Sequence, residues 1–422
     1  MVEELKERES AFAKQLEDYK MQGLILPDED YWSDTQQAYE FRQLNTIWLT
    51  DELNFERGLL FLKAMKIHKM MLAFNFEAIK STLRLLINRA NLDLNDMEHR
   101  EYLKNMWQTV HLITPLVSTT FASFSSMYKG IEKDFIQYLF IDEAGQASPQ
   151  QSAGAIWRSK NVVVVGDPIQ IEPVIILDPT ILGDIKKYFN VSDRYIGMGS
   201  SVQTLADTAN RYGMTSGYGQ WIGIPLWVHR RCLNPMFTVA NEIAYDNKMV
   251  LGKEGRGKSI WYDCKGSAKN RQFVEEQGEL VADHMIELWK KNAGPPNVYI
   301  ISPFTAVKDG IKKILKARLK KLGISTEILN DWLRNSVGTV HTFQGKEADI
   351  VYLVTGTDEN GDGAANWSCS KPNLLNVAVT RAKKEFYVIG DYQRFSKKLY
   401  YSSIVENVDE VKIGSRFAVN TQ

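Results

Sequence analysis

Cysteine is scarce in this 422-residue chain: Cys232, Cys264 and Cys369 lie far apart and form no CxxC pair. Neither a disulfide framework nor a structural zinc cluster is encoded, and a reducing, cytoplasmic setting is the expectation. Long apolar runs are missing too. No stretch approaches the ~20 residues a membrane helix requires. The opening MVEELKERES is acidic and charged where an export signal needs a basic start and an apolar stretch. Nor is charge of one sign in surplus, since 51 Lys plus Arg balance 51 Asp plus Glu. No global field draws the chain onto polyanions, so any nucleic-acid affinity has to come from a local groove.

Apolar residues make up 44 % and charged residues 24 %, the balance of a folded globular protein and not of a disordered tail. The length calls for two or three compact units. Residues 1–113 read as helical. Thr50 is placed to cap a helix that opens with Asp51 and Glu52, and apolar residues then recur at Leu60, Ala64, Ile67, Met71, Phe74 and Ala78. The stripe is read as the buried packing face of a helical subdomain, with a partner or cofactor groove as the alternative. The EELKERE run reads as a solvated helix face.

Near Thr114 the pattern changes. Short continuous apolar runs follow, each ending in small or acidic residues: PLVSTTFASF, YLFIDEAG, NVVVVGDP, NVYIISPF, SVGTVHTF, DIVYLVTG and EFYVIGD. Such runs are what parallel strands buried on both faces look like, and helical segments separate several of them. The fold class is therefore α/β. The glycine-rich interval from about Gly213 to Gly257 separates two strand clusters and is the expected domain junction.

Two strand ends carry chemistry. YLFIDEAGQ places Asp142 and Glu143 at the carboxyl edge of a sheet, where open α/β folds bind ligands. One carboxylate there can hold Mg²⁺ and the second can orient a water against a γ-phosphate; a plain strand end with two acids is the other reading. NVVVVGDPIQIEPV ends in Gly166-Asp167-Pro168 and then Gln170, whose amide could sense a terminal phosphate. A strand-end turn capped by Asp167 accounts for part of that string but not for all of it.

Together these strings resemble superfamily 1 helicases, in the branch that holds the RNA-surveillance and DNA-replication helicases and the bacterial AAA-domain helicase-like proteins. IDEAGQASPQ is similar to their motif II, GDPIQIEPV to motif III, VGTVHTFQGKEADIVYLV to motif V and LLNVAVTRAKKEFYVIGD to motif VI. VSTTFASF resembles the nucleic-acid-contacting strand before motif II, and NVYIISPF resembles motif IV. The resemblance covers about residues 114–395 and takes in SVQTLAD and PLWVHRRCLNPMF.

It implies two RecA-like parallel-sheet domains, the first incomplete, closing on ATP with Mg²⁺ and on a single strand of DNA or RNA. The expected organisation is a helical insertion over 1–113, the carboxyl-terminal part of the first RecA-like domain over 114–225, the second over 226–400 and a tail over 401–422. By resemblance Asp142 holds the metal, and Glu143, Gln170, Arg231 and Arg381 act on the phosphate, the two arginines as charge-neutralising fingers. Gln344 and Glu347 would couple nucleotide to the second domain, and Arg230 stands where an aromatic usually stacks on adenine. Thr119, Thr120, Ser302, Phe304, Thr339 and His341 would contact the nucleic acid, mostly through sequence-blind phosphate donors. For His341 a bond to its own backbone is an equal reading. The basic face of KDGIKKILKARLKKLG is read as solvated, with Ile311, Leu315, Leu319 and Leu322 packed beneath it.

An ATPase of this class needs a strand, a GxxxxGK(S/T) loop and a helix ahead of motif II, because backbone amides and a lysine wrap the phosphates. No such loop precedes Asp142. A literal match, GKEGRGKS from Gly252 to Ser259, follows motif II and leads into SIWYDC, a strand pattern, so it reads as a glycine-rich surface loop. A substitute nucleotide site on Lys258 is the competing reading. Without the loop, Asn161 to Gly166 should form an exposed apolar sheet edge. The expectation is a helicase or translocase represented without its phosphate loop, with the missing amino-terminal part of the same protein as a partner. The alternative is a non-catalytic nucleic-acid or partner-binding scaffold that keeps a degenerate cleft.

Overall fold

A computed structural model describes residues 2–175, 177–197, 199–217 and 219–413. The last nine positions of the expected tail, 414–422, lie outside the described residues. The chain forms two compact units, residues 1–140 with 150–163, and 141–149 with 164–422.

The first unit is largely helical: α1 (Val2–Met21), α2 (Gln36–Leu44), α3 (Asp51–Phe74), α4 (Phe76–Ile87), α5 (Met97–Ile113) and α6 (Phe121–Met127). Thr50 caps α3 as its sequence position requires, its side chain accepting the Leu53 N–H at 3.1 Å. The stripe on that helix, however, is not buried: Leu60, Ile67 and Phe74 are 67 %, 70 % and 84 % exposed. The core of this unit is built instead from Leu103, Trp107, Phe124, Tyr128, Ile131 and Ala155, contributed by later segments. Helical periodicity fixes which side chains share a face, but not whether that face finds a cover.

VSTTFASF also departs from expectation. Phe121–Met127 is helical, and Thr120 is its cap, accepting the Ser123 N–H at 3.3 Å. Thr119 and Thr120 therefore sit at a helix start and not at a strand end. Small hydroxyl residues satisfy free helix amides, which outweighs the apolar look of the string.

Strand β1 (Ile136–Ile141) pairs with β2 (Ser159–Val164), and α7 (Pro149–Trp157) runs between them in sequence. The Ile136 N–H donates to Arg158 O at 2.8 Å and the Val165 N–H to Ile141 O at 2.8 Å. Tyr138, Phe140, Val162, Val163 and Val165 are exposed, so these strands are not covered on both faces and the expected apolar edge is present.

The second unit centres on a six-stranded sheet in the order β7-β6-β8-β9-β5-β10, parallel throughout. Its strands are β5 (Lys258–Asp263), β6 (Val298–Ser302), β7 (Val337–Thr339), β8 (Ala348–Val354), β9 (Ala382–Gly390) and β10 (Glu410–Ile413). A short hairpin of β3 (Gly213–Thr215) and β4 (Trp221–Gly223) precedes them in the chain, so the glycine-rich interval lies within this unit. Alternate residues feed two cores. Trp261, Ile301, Val351, Leu353, Phe386 and Val388 face one, while Ile260, Ile300, Tyr352, Val354, Tyr387 and Ile389 face the other. Burial on both faces is what the unbroken apolar runs of β6, β8 and β9 demand.

Helices cover both faces: α8 (Val202–Ala209), α9 (Met236–Ala244), α10 (Glu275–Asn292), α11 (Thr305–Lys320), α12 (Thr326–Ser336), α13 (Asp362–Ser368), α14 (Asn373–Thr380) and α15 (Tyr401–Asn407). Ile311, Leu315 and Leu319 of α11 are buried beneath its basic face as read, but Leu322 lies past the end of the helix and is exposed. Residues 401–413 are no free tail. Tyr401 and Ile404 enter the core and β10 closes the sheet edge against β5.

Candidate active site

Motif II opens where β1 ends. Asp142 is exposed, and Glu143 takes a left-handed backbone conformation at φ 52°, uncommon for a residue with a side chain and typical of strained functional turns. The Asp142 carboxylate accepts the Glu143 N–H at 2.8 Å, and the Ala144 N–H donates to Val165 O at 3.1 Å, tying this turn to the chain leaving β2. At that point only glycine fits: a Cβ on Gly166 would lie 2.9 Å from both the Ala144 and Gly145 nitrogens.

Residues from the far end of the sequence converge on Glu143. Its carboxylate accepts from Gln146 at 2.9 Å and from Gln344 Nε2 at 3.4 Å, a contact spanning 201 residues. The other end of that amide, Gln344 Oε1, is buried without a partner. Arg231 pairs with Glu347 at 3.5 Å, and Glu347 pairs with Lys383 at 2.5 Å. The Lys383 bond above all, with Arg231 adding to it, holds the Glu347 carboxyl below its usual range.

Arg381 is the most telling residue. It ends α14 with no exposed surface, and its guanidinium donates to Val377 O at 3.2 Å, Lys346 O at 3.0 Å and the Thr380 hydroxyl at 3.2 Å. Among the described residues no carboxylate forms a salt bridge with it. Burial first, and the nearby Arg231 second, pull its pKa down to about 10, while Glu143 pulls the other way. Both the folded and unfolded forms are cationic below that pH, so the burial penalty, on the order of 3 kcal/mol, is present in full at neutral pH. A buried cation held by carbonyls and flanked by a second arginine has the chemistry to pair with an anion.

Gln170 is turned elsewhere. Its amide donates to Asp167 at 3.0 Å, inside its own turn. Asp167 also accepts from the Ile169 N–H at 2.9 Å and from the buried hydroxyl of Tyr245, which in turn accepts from Asn376 Nδ2 at 2.9 Å. Burial pushes the Asp167 carboxyl up, against the pull of its three donors. Asn373 and Asn376 of α14 bond to the carbonyls of Gln170 and Ile169. The motif III turn is thus fastened to the helix that carries Arg381, through residues the sequence reading did not select. Asn376 had a signal, a lone amide inside the apolar run LLNVAVT; Tyr245 had none.

Arg230 is exposed and donates to Gly252 O at 3.1 Å. Lys258 begins β5, an interior strand between β9 and the edge strand β10, opposite Glu385, so no helix start follows GKEGRGKS. Of the residues expected at nucleic acid, Ser302 and Thr339 are paired at the ends of β6 and β7, and His341 follows in the next turn. Desolvation lowers the His341 pKa, and Ser302 is buried. Phe304 is buried as well, its ring 5.9 Å from that of Trp367, which is the exposed aromatic at this place. Thr119 and Thr120 belong to the first unit.

The side chains present fit a nucleoside triphosphate with Mg²⁺ at its terminal-phosphate end: a buried guanidinium that, among the described residues, forms no salt bridge, an orphaned Gln344 oxygen that can accept from water, and an exposed Asp142 carboxylate. Among the described residues no cluster of three or more metal-ligating side chains exists, so a cation at Asp142 would draw its other ligands from phosphate and water.

Carboxylates at one strand end, a strand-end glutamine and an arginine closing α14 are carried on parallel α/β structure, an arrangement similar to that of superfamily 1 helicases. Residues 235–393 match the family model described as an AAA domain. Among curated proteins, the chain is 23 % identical over 61 % of its length to the human DNA replication ATP-dependent helicase/nuclease DNA2, covering 25 % of that protein. It is 20 % identical over 64 % of its length to regulator of nonsense transcripts 1 of Dictyostelium discoideum, covering 20 % of it. With the DNA polymerase alpha-associated DNA helicase A of Saccharomyces cerevisiae it shares 22 % identity over 72 % of its length and 46 % of the relative's. The chain spans about a quarter of the length of the first of these relatives. Among solved structures, an arterivirus nonstructural protein 10 helicase aligns over 61 % of the chain and 40 % of its own, at 15 % identity and a TM-score of 0.31. No described helix is long and apolar enough to cross a membrane.

Proposed function

We propose that the chain carries the catalytic cleft of a superfamily 1-type, ATP-driven translocase or helicase acting in the cytoplasm on single-stranded DNA or RNA, and that its phosphate cradle comes from a segment outside this sequence. Residues 114–225 would be the carboxyl-terminal part of a first RecA-like domain and 226–400 most of a second. Asp142 would hold Mg²⁺, Glu143 and Gln344 would orient water, and Arg381 with Arg231 would neutralise the terminal phosphate, while Glu347 sets the position of Arg231. The bound nucleotide would supply the phosphoryl-transfer energy. Thr339 and His341 offer neutral donors to a nucleic-acid backbone, and Trp367 a ring for a base, whereas Ser302 is buried.

The single observation carrying this reading is the buried guanidinium of Arg381, which feels both Arg231 and Glu143 and, among the described residues, forms no salt bridge. The literal GKEGRGKS match lends no cradle, because Lys258 starts a strand and not a helix.

Two measurements test separate parts. The purified chain, given ATP, Mg²⁺ and a single-stranded oligonucleotide, should hydrolyse at background; turnover abolished by Asp142→Asn would show that a cradle is present after all. A fluorescent ATP analogue should bind weakly, and Arg381→Ala should weaken it about tenfold or more. Unchanged binding by Arg381→Ala would refute the cleft itself.

A further inference from the structure

Helix α3 leaves apolar side chains bare on more than one side, Phe55, Phe61, Leu62, Met65 and Met70 among them, and one regular seam runs through them. Leu53, Leu60, Ile67 and Phe74 recur every seven residues, with Ala64 and Met71 between them at alternating spacings of four and three. That repeat keeps one line of side chains facing a partner helix when two helices wind around each other. Leu53, Leu60, Ile67 and Phe74 are all exposed, and the core of this unit closes without them. The helix has 24 residues and so runs about 36 Å, long enough for several layers of contact.

Charge along the seam selects the occupant. At 100° per residue, Glu52, Glu56, Lys63 and Lys66 fall within an arc of about 80° along one flank, acidic in the first turns and basic in the following ones. The other flank carries Phe61 and His68 and no acid. In a parallel pair each flank meets the opposite flank of its partner, which leaves the acids without an ordered set of bases and the lysines without any acid. In an antiparallel pair like flanks meet, so Glu56 faces Lys63 of the second copy, Lys63 faces its Glu56, and Glu52 approaches its Lys66. The pattern complements itself under a two-fold axis. Arg57, at a seam position, would fix the register at some cost in stability.

From this we infer that α3 is a self-association surface, which pairs antiparallel with α3 of a second copy of this chain through the Leu53-Leu60-Ile67 part of its seam. The inference does not depend on the nucleotide cleft. Sedimentation velocity of the whole chain at low salt should show a dimer by about 100 µM. Ile67→Glu should raise the dissociation constant at least about tenfold without lowering the unfolding temperature, since the side chain is exposed in the single chain. Glu56→Lys and Lys63→Glu should each weaken the dimer, and the two together should restore it, because the swap preserves complementarity. A chain monomeric at that concentration, a dimer that survives Ile67→Glu, or a double swap no better than either single variant would overturn the proposal.

Discussion

Asp167 and Tyr245 lie 78 residues apart and share a hydrogen bond, with Asn376 holding the tyrosine from a third segment. Because burial raises the Asp167 pKa, the folded state holds that proton more tightly than the unfolded one. The associated stability is complete at acid pH and is lost as pH rises through the folded-state value. Tyr245→Phe removes a donor that favours the carboxylate, so the folded pKa climbs further and the damage grows with pH. We expect a loss of about 1 to 3 kcal/mol near pH 8 and a smaller one near pH 5, measured by urea unfolding at the two pH values. An equal loss at both would mean that the carboxylate is not the group being served. The strings around Asp142, Asp167 and Arg381 were legible because each is short and local. Tyr245 was not, since its role exists only once distant segments meet. Phe304 misled for a related reason: a strand-end aromatic reads the same whether its ring faces solvent or, as here, the core beside Trp367.

The glycine-rich run ahead of β5 shows what a motif can mean at the level of an element. A Cβ on Gly252 would lie 2.5 Å from Val228 Cγ1, and one on Gly257 would meet the Lys384 carbonyl and lie 2.6 Å from Met236 Cε. Both glycines are required by close packing of this loop on its own neighbours, which is sufficient reason for the pattern without any phosphate. Gly257→Ala should therefore destabilise the chain by about 1 to 3 kcal/mol in chemical denaturation, with nucleotide affinity of the folded fraction unchanged. A folded Gly257→Ala protein of normal stability that no longer binds nucleotide would return the loop to the status of a phosphate site. Strands β6, β8 and β9 could be read from sequence because burial on both faces enforces unbroken apolar runs. The cover over the α3 seam could not, because amphipathicity records what a helix needs and not what meets it. Phe121–Met127 went the other way, as capping by Thr120 took a segment that looked like a strand into a helix.

At the scale of the whole molecule, 51 basic and 51 acidic side chains leave nothing to pull a polyanion from a distance. Affinity for nucleic acid, on the proposed reading, then depends on which local groups touch the backbone, and these differ in a measurable way. Thr339 and His341 offer a hydroxyl and an imidazole whose pKa is lowered, neither of which displaces a counterion at neutral pH. The exposed face of α11 is the opposite case, with Lys313, Lys316 and Lys320 unburied, although Arg318 beside them is already held by Glu279 and Asp283. Each phosphate neutralised by a lysine or arginine on a single strand contributes about −0.7 to the slope of log affinity against log salt. If the strand ends of β6 and β7 form the contact, fluorescence anisotropy with a single-stranded oligonucleotide should give a shallow slope, about −2 or less in magnitude. Lys313→Glu with Lys316→Glu should then leave both affinity and slope nearly unchanged. A slope steeper than about −4 that flattens in the double variant would move the interface to α11 and make its lysines, and not the hydroxyl and imidazole, the nucleic-acid site.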